Sequence, residues 1–336
     1  MNSLVRNFIP IFLATLIMTL VISGAMFIRA DDRDPNANPE NKIYVRIESG
    51  MDARSIAEMV ARHGIIRSKV KFIALAKINR YEDKFRVGVY DLYPGMSTQE
   101  VLDRLTSGET LTLKFTIPEG FTVKDIAKRL DKMEIAREDE FLKAAKDFAP
   151  YNYIEKKPDV IFRAEGFLFP DTYEVESTAS VEKILDMMAV DFDSRLTKEI
   201  RKKAKDQNLS IYDLITLASL VEKEARFDED RPIIAQVFFE RLKIGMPLQT
   251  DASLQYLLDA PKEDVAISDT EIESPYNTYL HGGLPPGPIA NPGIESILAV
   301  LNPSDTDYLY FVADRDGHNH YSHTYEEHLT LVNQYR

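Results

Sequence analysis

The sequence predicts an α+β protein behind a single N-terminal membrane helix. Three observations carry that expectation. A short strand–glycine-turn–helix pattern recurs three times in the first half. A long apolar helical run without Gly or Pro occupies the middle, and an aromatic strand lies near the C-terminal end. Helices gathered around a few short strands, without regular βαβ alternation, fit an α+β architecture better than a parallel sheet.

Phe8 to Ile28 contains no charged residue and is long enough to cross a bilayer as one helix. Arg6 precedes it, while Asp31, Asp32 and Asp34 follow with Arg33 among them, which places the N-terminus in the cytoplasm. A cleaved signal peptide is the competing reading, but Phe27-Ile28-Arg29-Ala30 is a poor small-residue cleavage site. Residues 1–30 are thus read as cytoplasmic tip and anchor. Residues 31–42, polar and carrying Pro35 and Pro39, are read as a linker.

Residues 43–160 hold the recurring pattern. Gly50, Gly95 and Gly120 each follow a strand-like segment, and apolar residues return six, seven and ten positions later: Ile56, Ala57, Val60; Val101, Leu102, Leu105; Ile126, Ala127, Leu130. That is a helical spacing. Ser97 and Thr122 stand where helix N-caps belong. The first and third copies continue alike, through Ile65 and Arg67 or Ile135 and Arg137, into a Phe-containing helix. The strand–turn–helix pattern resembles LysM-type modules, which implies binding of N-acetylated glycan; simple packing units are the alternative.

Residues 161–336 form the expected catalytic domain. Leu214 to Lys223 reads as a core helix ending in a carboxylate, because apolar residues cover most of its circumference. At about 100° per residue Glu222 lines up with Ala218, Ile215 and Ile211, while Glu224 points the opposite way with Asp213, Leu217 and Leu220. A carboxylate over apolar neighbours loses hydration and should hold a proton near neutrality, as a general acid must. Long loops rich in Pro, Gly, Asn and aromatics surround this helix, and Tyr308 to Val312 reads as a buried strand.

Composition narrows the chemistry. The chain has no cysteine, which removes disulfides, thiolate catalysis and thiolate metal sites. A net charge of −13 argues against a nucleic-acid partner, and the basic run Lys198 to Lys205 reads as one solvated helix face. His318, His320, His323 and His328 match no metal-binding spacing, so neither a metal nor another cofactor is expected. No nucleophile-elbow or phosphate-loop motif is present.

Carboxylates remain. An ordinary glycosidase needs two; Glu222 is one candidate and Asp251 the evident second. Phe167, Phe169, Tyr173, Gln249, Tyr276, Asn277 and Tyr279 suit a sugar groove, because aromatic faces pack on pyranose rings and amides read hydroxyl and acetamido groups. Core packing is the alternative for the aromatics.

The segments Glu165-Gly-Phe-Leu-Phe-Pro-Asp-Thr-Tyr173, Ala218-Ser-Leu-Val-Glu-Lys-Glu224, Val237-Phe-Phe-Glu-Arg-Leu242, Met246-Pro-Leu-Gln-Thr-Asp251, Tyr276-Asn-Thr-Tyr279, Gly283-Leu-Pro-Pro-Gly-Pro-Ile289 and Tyr308-Leu-Tyr-Phe-Val-Ala313 closely resemble the endolytic murein transglycosylases of the MltG (YceG-like) family. The resemblance spans nearly the whole chain. It implies a single-pass inner-membrane protein facing the cell wall, cutting nascent glycan strands at the β-1,4 bond between N-acetylmuramic acid and N-acetylglucosamine. Such cleavage leaves 1,6-anhydro ends and terminates elongation. The implied catalytic residue is the first glutamate of Val-Glu-Lys-Glu, Glu222. Asp251 then becomes a groove residue, and Glu165, Asp171 and Thr250 complete the expected substrate-binding set. The implied partners are peptidoglycan strands, the membrane and a peptidoglycan synthase. Two other readings stay open: a non-catalytic glycan-binding scaffold, and a lysozyme-like hydrolase using Glu222 and Asp251.

Overall fold

The computed structural model describes residues 3–335 apart from 109, 259–261, 263 and 264. It is a mixed helix and sheet protein whose contacts divide it into two compact units. The first is Met1–Leu113 with Val175–Thr178; the second is Lys114–Glu174 with Ala179–Arg336. The division between residues 113 and 114 differs from the 160/161 boundary read from the sequence. The third glycine-turn copy therefore belongs to the unit that holds Glu222.

The first unit begins with α1 (Ser3–Arg29), whose Phe12–Arg29 stretch is long and apolar enough to cross a membrane. The following residues are not a free linker. The amide of Asp34 donates to the Gly95 carbonyl at 2.8 Å, Asp32 accepts from the Thr98 amide at 3.0 Å, and Arg67 pairs with Asp34 at 2.6 Å. Gly95 has φ +80°, and a Cβ there would stand 2.5 Å from the Asp34 Cβ, so only glycine admits this close approach. Strand β1 (Ile43–Ile47) leads through the Gly50 turn to α2 (Ala53–Arg62) and α3 (Lys69–Ile78). Strand β2 (Gly88–Leu92) pairs antiparallel with β1 and leads through Gly95 to α4 (Thr98–Ser107). Asp52 and Ser97 cap α2 and α4, and Ile56, Val60, Val101, Leu102 and Leu105 are buried in one core.

Strand β3 (Thr112–Thr116) starts the same order again, with α5 (Val123–Lys132) and α6 (Glu138–Asp147), and pairs with β4 (Thr172–Glu176). The larger repeat is thus strand–helix–helix–strand. This accounts for the likeness of the first and third copies, since the second copy's strand closes the first repeat. Thr122 and Asp125 form a capping box at the start of α5.

The core of the second unit is built on α9 (Ile211–Glu224), preceded by α7 (Val181–Arg195) and α8 (Lys198–Asp206). Ser210 caps α9, and every residue from Leu214 to Val221 is buried. Filling the positions of Ile215, Leu217 and Leu220 contributes about 1.5–3 kcal/mol per side chain. The basic run on α8 buries only Ile200 and Ala204; Arg201 turns back to pair with Asp193 at 2.5 Å over the Tyr153 ring, and Lys202 and Lys205 are exposed. Helix α9 packs on α10 (Arg231–Lys243), α11 (Asp251–Gln255) and α12 (Ile294–Leu301). Strands β5 (Tyr310–Ala313) and β6 (Asn319–Ser322) form an antiparallel hairpin against α13 (Tyr325–Tyr335). The expected C-terminal strand is therefore present, but half-buried rather than buried, because only Val312 is fully enclosed.

Candidate active site

Two glutamates close α9, and their surroundings differ. Glu222 is turned inward, its side chain 7% exposed. Its Oε2 accepts from the Ser296 hydroxyl at 2.6 Å and the Gly293 amide at 3.2 Å, and lies 3.5 Å from Arg231 Nη1. Gly293 is the N-cap of α12, so the carboxylate closes that helix's unsatisfied N-terminal end. Arg231 also donates to Ser296 at 3.0 Å and to the exposed Asp228 at 3.2 Å. The apolar face beneath Glu222 is as expected, but its tip is held by three donors joining α9, α10 and α12. This corrects the picture of a carboxylate in purely apolar surroundings.

The third glycine turn lies over the same carboxylate. A Cβ on Gly120 would sit 3.5 Å from the Glu222 Cγ. Glu119 packs its carboxyl against Gly293. Burial and the charge of Glu222 push Glu119 above the ordinary glutamate range.

Glu224 points the other way, between two cavities of about 420 and 340 Å³ that both include Glu224 and Asp251 in their walls. The larger adds Arg241, Gln249, Thr250, Tyr279 and Tyr310. The smaller adds Thr122, Lys124, Lys128, Lys223 and Gln255. The Thr250 hydroxyl donates to Glu224 Oε1, and the Tyr279 hydroxyl donates to Asp251 Oδ1 at 2.6 Å. Burial raises the Glu224 pKa; the Thr250 hydrogen bond opposes this, and the Asp251 charge reinforces it. The net shift is upward, the direction a general acid needs.

Of the residues singled out in the sequence, Gln249, Thr250, Asp251 and Tyr279 come together around Glu224. The others do not line this groove. Phe167, Phe169, Tyr173, Tyr276 and Asn277 are buried. Phe167 packs on Phe192 at 5.4 Å and Tyr212 at 5.6 Å, and Tyr276 on Tyr256 at 5.1 Å. The Asn277 amide donates to the carbonyls of Thr270 and Ile272 at 2.9 and 2.8 Å, so its hydrogen bonds serve the loop fold. Tyr173 donates to Asp191 at 3.1 Å, and Asp171 pairs with Arg195 at 2.7 Å.

Glu165, 1% exposed, accepts from the Val123 amide at 3.0 Å, the Asn291 amide at 3.1 Å and the Tyr256 hydroxyl at 3.2 Å. Burial pushes its pKa up to about 8. It anchors the start of α5 through the Val123 amide. Sequence reasoning passed over Asn291, which is fully buried and also accepts from the Leu168 amide at 3.0 Å and donates to the Phe121 carbonyl at 2.9 Å. Its position in a Pro- and Gly-rich loop was the available signal. Arg241 was also missed. It is buried at the wall of the larger cavity and donates to the Leu309 carbonyl at 2.7 Å.

Comparison with known proteins gives this site a family context. The sequence profile of the YceG-like family matches residues 45–334. The chain belongs to the YceG-like family. A Bacillus subtilis relative named endolytic murein transglycosylase is 33% identical over 330 residues, covering 94% of this chain and 91% of that protein. A Streptococcus pneumoniae serotype 2 relative of the same name is 33% identical over 323 residues, covering 87% of this chain. The chain spans only 58% of the length of that pneumococcal protein. A crystal structure of a yceG-like protein from Listeria monocytogenes superposes with a TM-score of 0.61 at 33% identity, covering 86% of this chain and 99% of that one. The YceG-like match takes in residues of both compact units and includes Glu222 and Glu224.

Proposed function

We propose that this YceG-like protein is an endolytic murein transglycosylase that cuts the β-1,4 bond between N-acetylmuramic acid and N-acetylglucosamine inside nascent glycan strands. Glu224, rather than the expected Glu222, is the proton donor in this reading. The observation that carries it is the placement of Glu224 where two cavities meet, beside Thr250, Asp251 and Tyr279. Glu222, held by Arg231, Ser296 and Gly293, is a structural tie.

The glutamic acid protonates the leaving O4 as the C1–O4 bond breaks. The muramic C6 hydroxyl then attacks C1, its proton returns to the Glu224 carboxylate, and a 1,6-anhydro ring forms. One residue thus serves as acid and then base, and water takes no part. Asp251, held by Tyr279, orients the sugar. Helix α1 anchors the enzyme with its N-terminus in the cytoplasm and the remainder facing the wall. The LysM-like strand–turn–helix copies hold glycan, and release of the cut strand ends its elongation.

A lysozyme-like hydrolase remains the second reading, because Asp251 shares both cavities with Glu224. Mass spectrometry of products formed from purified glycan strands in heavy-oxygen water separates the two. The transglycosylase leaves ends one water lighter than hydrolysed ends and carrying no heavy oxygen. Labelled reducing ends would establish hydrolysis instead.

A further inference from the structure

The smaller cavity beside Glu224 has a polarity that ring closure does not require. Its carboxylates, Glu224 and Asp251, stand on the α9 and α11 side, while Lys124 and Lys128 face them from α5. Four residues apart on one helix, these two lysines share a face. Lys223 adds a third positive charge and donates to the Gly120 carbonyl at 3.3 Å. Among the described residues neither Lys124 nor Lys128 has an ion-pair partner. Asp125, the acidic residue between them, also lines the cavity, but its Oδ2 is engaged in the α5 capping box, where it accepts from the Thr122 amide at 3.0 Å and hydroxyl at 2.7 Å. In a chain of net charge −13, two unpaired lysines grouped on one wall of a cavity are not explained by the average surface. Neutral sugar hydroxyls give such a wall nothing to neutralise. A substrate carrying carboxylates does.

We propose that the Lys124–Lys128 wall is a specificity site for the carboxylates of the peptide stem borne by the muramic acid being cut. The proposal rests on the transglycosylase reading and adds that the substrate is a stem-bearing strand rather than bare glycan. With the sugar's C1–O4 bond at Glu224, a stem leaving the lactyl group of the same sugar enters the 340 Å³ cavity and brings its carboxylates to the two ammonium groups. Lysine suits this task, since a point charge on a flexible stem follows a flexible peptide.

The test compares two substrates on the detergent-solubilised full chain. One is purified strands with intact stems; the other is the same strands stripped of peptide by an amidase. The native protein should turn over stem-bearing strands with kcat/KM about tenfold higher, the size expected of two partly exposed ion pairs. Lys124→Gln with Lys128→Gln should bring that ratio to within about twofold of one. Lys124→Arg with Lys128→Arg, which keeps the charge, should preserve most of it. A third arm uses stem-bearing strands with and without a terminal lipid diphosphate, the other anion such a wall could hold, and the two should react alike. A native ratio near one, a ratio unaffected by the Gln pair, or a preference that follows the diphosphate would overturn the proposal. Failure of the native protein to cut either strand would instead remove the transglycosylase reading beneath it.

Discussion

Replacing Glu222 with alanine separates a structural carboxylate from a catalytic one. The substitution takes one partner from an ion pair whose side chains are only 11% and 7% exposed. It also strands the Ser296 hydroxyl and the Gly293 amide at the start of α12. Removing one member of a buried pair costs about 3–5 kcal/mol. Here Arg231 keeps Asp228 at 3.2 Å, so the lower end, about 3 kcal/mol, applies. Glu222→Gln keeps an acceptor but loses the charge that strengthens the 2.6 Å bond from Ser296, and should cost about half as much. For a unit of this size 1 kcal/mol moves the melting temperature by about 2–4 °C, so the alanine variant should melt about 6–12 °C lower. Thermal melts of the detergent-solubilised chain, followed by circular dichroism, read this directly. An alanine variant that melts within a degree or two of the native protein would refute the structural role. If that variant had also lost turnover, the proton donor would be Glu222 after all.

Three other outcomes follow from the same geometry. Asn291→Ala leaves the buried Leu168 amide without its acceptor and should lower stability by about 2–3 kcal/mol in urea unfolding; a shift under 0.5 kcal/mol would contradict its place at the junction of three loops. Glu165, whose folded pKa near 8 lies above its unfolded value, binds more protons folded than unfolded between about pH 4.5 and 8. Its contribution therefore falls as pH rises through that window, and Glu165→Gln should flatten the decline in melting temperature; an unchanged slope would count against it. Because Glu224 is raised above the ordinary range, kcat should decline on the alkaline side as that acid ionises. Asp251→Asn, which removes a charge that raises it, should move this decline to lower pH; a decline that stays in place would argue that another group sets it.

Local structure was the legible part. Gly50, Gly95 and Gly120 with Asp52, Ser97 and Thr122 beyond them specify turns and caps within a few residues, and all three helices start where those caps stand. Pairing was less legible, because β1 meets β2 across 40 residues of chain and nothing in either strand names its partner. The helical projection separated Glu222 from Glu224 correctly. It could not say what each would meet, since that depends on where α12 and the loop around Thr250 pack. The start of α12 brought the Gly293 amide onto Glu222, and the Thr250–Asp251 segment came to line two cavities together with Glu224. Aromatics in Pro- and Gly-rich loops depended on tertiary packing in the same way. Phe167, Phe169 and Tyr276 are loop residues by sequence, but their loops fold inward and their rings enter the core of the second unit.

Turnover of purified glycan strands by Glu224→Gln, set beside Glu222→Gln under identical conditions, bears most directly on the central claim. Glutamine at 224 retains shape and can still accept from Thr250, but it cannot deliver a proton. Anhydro-ended product should fall by at least about a thousandfold while the melting temperature holds or rises, since a buried carboxyl that is costly to ionise is gone. Glu222→Gln should instead melt lower and, at a temperature where it stays folded, keep substantial turnover. A folded Glu224→Gln protein that still releases anhydro-ended strands would contradict the account.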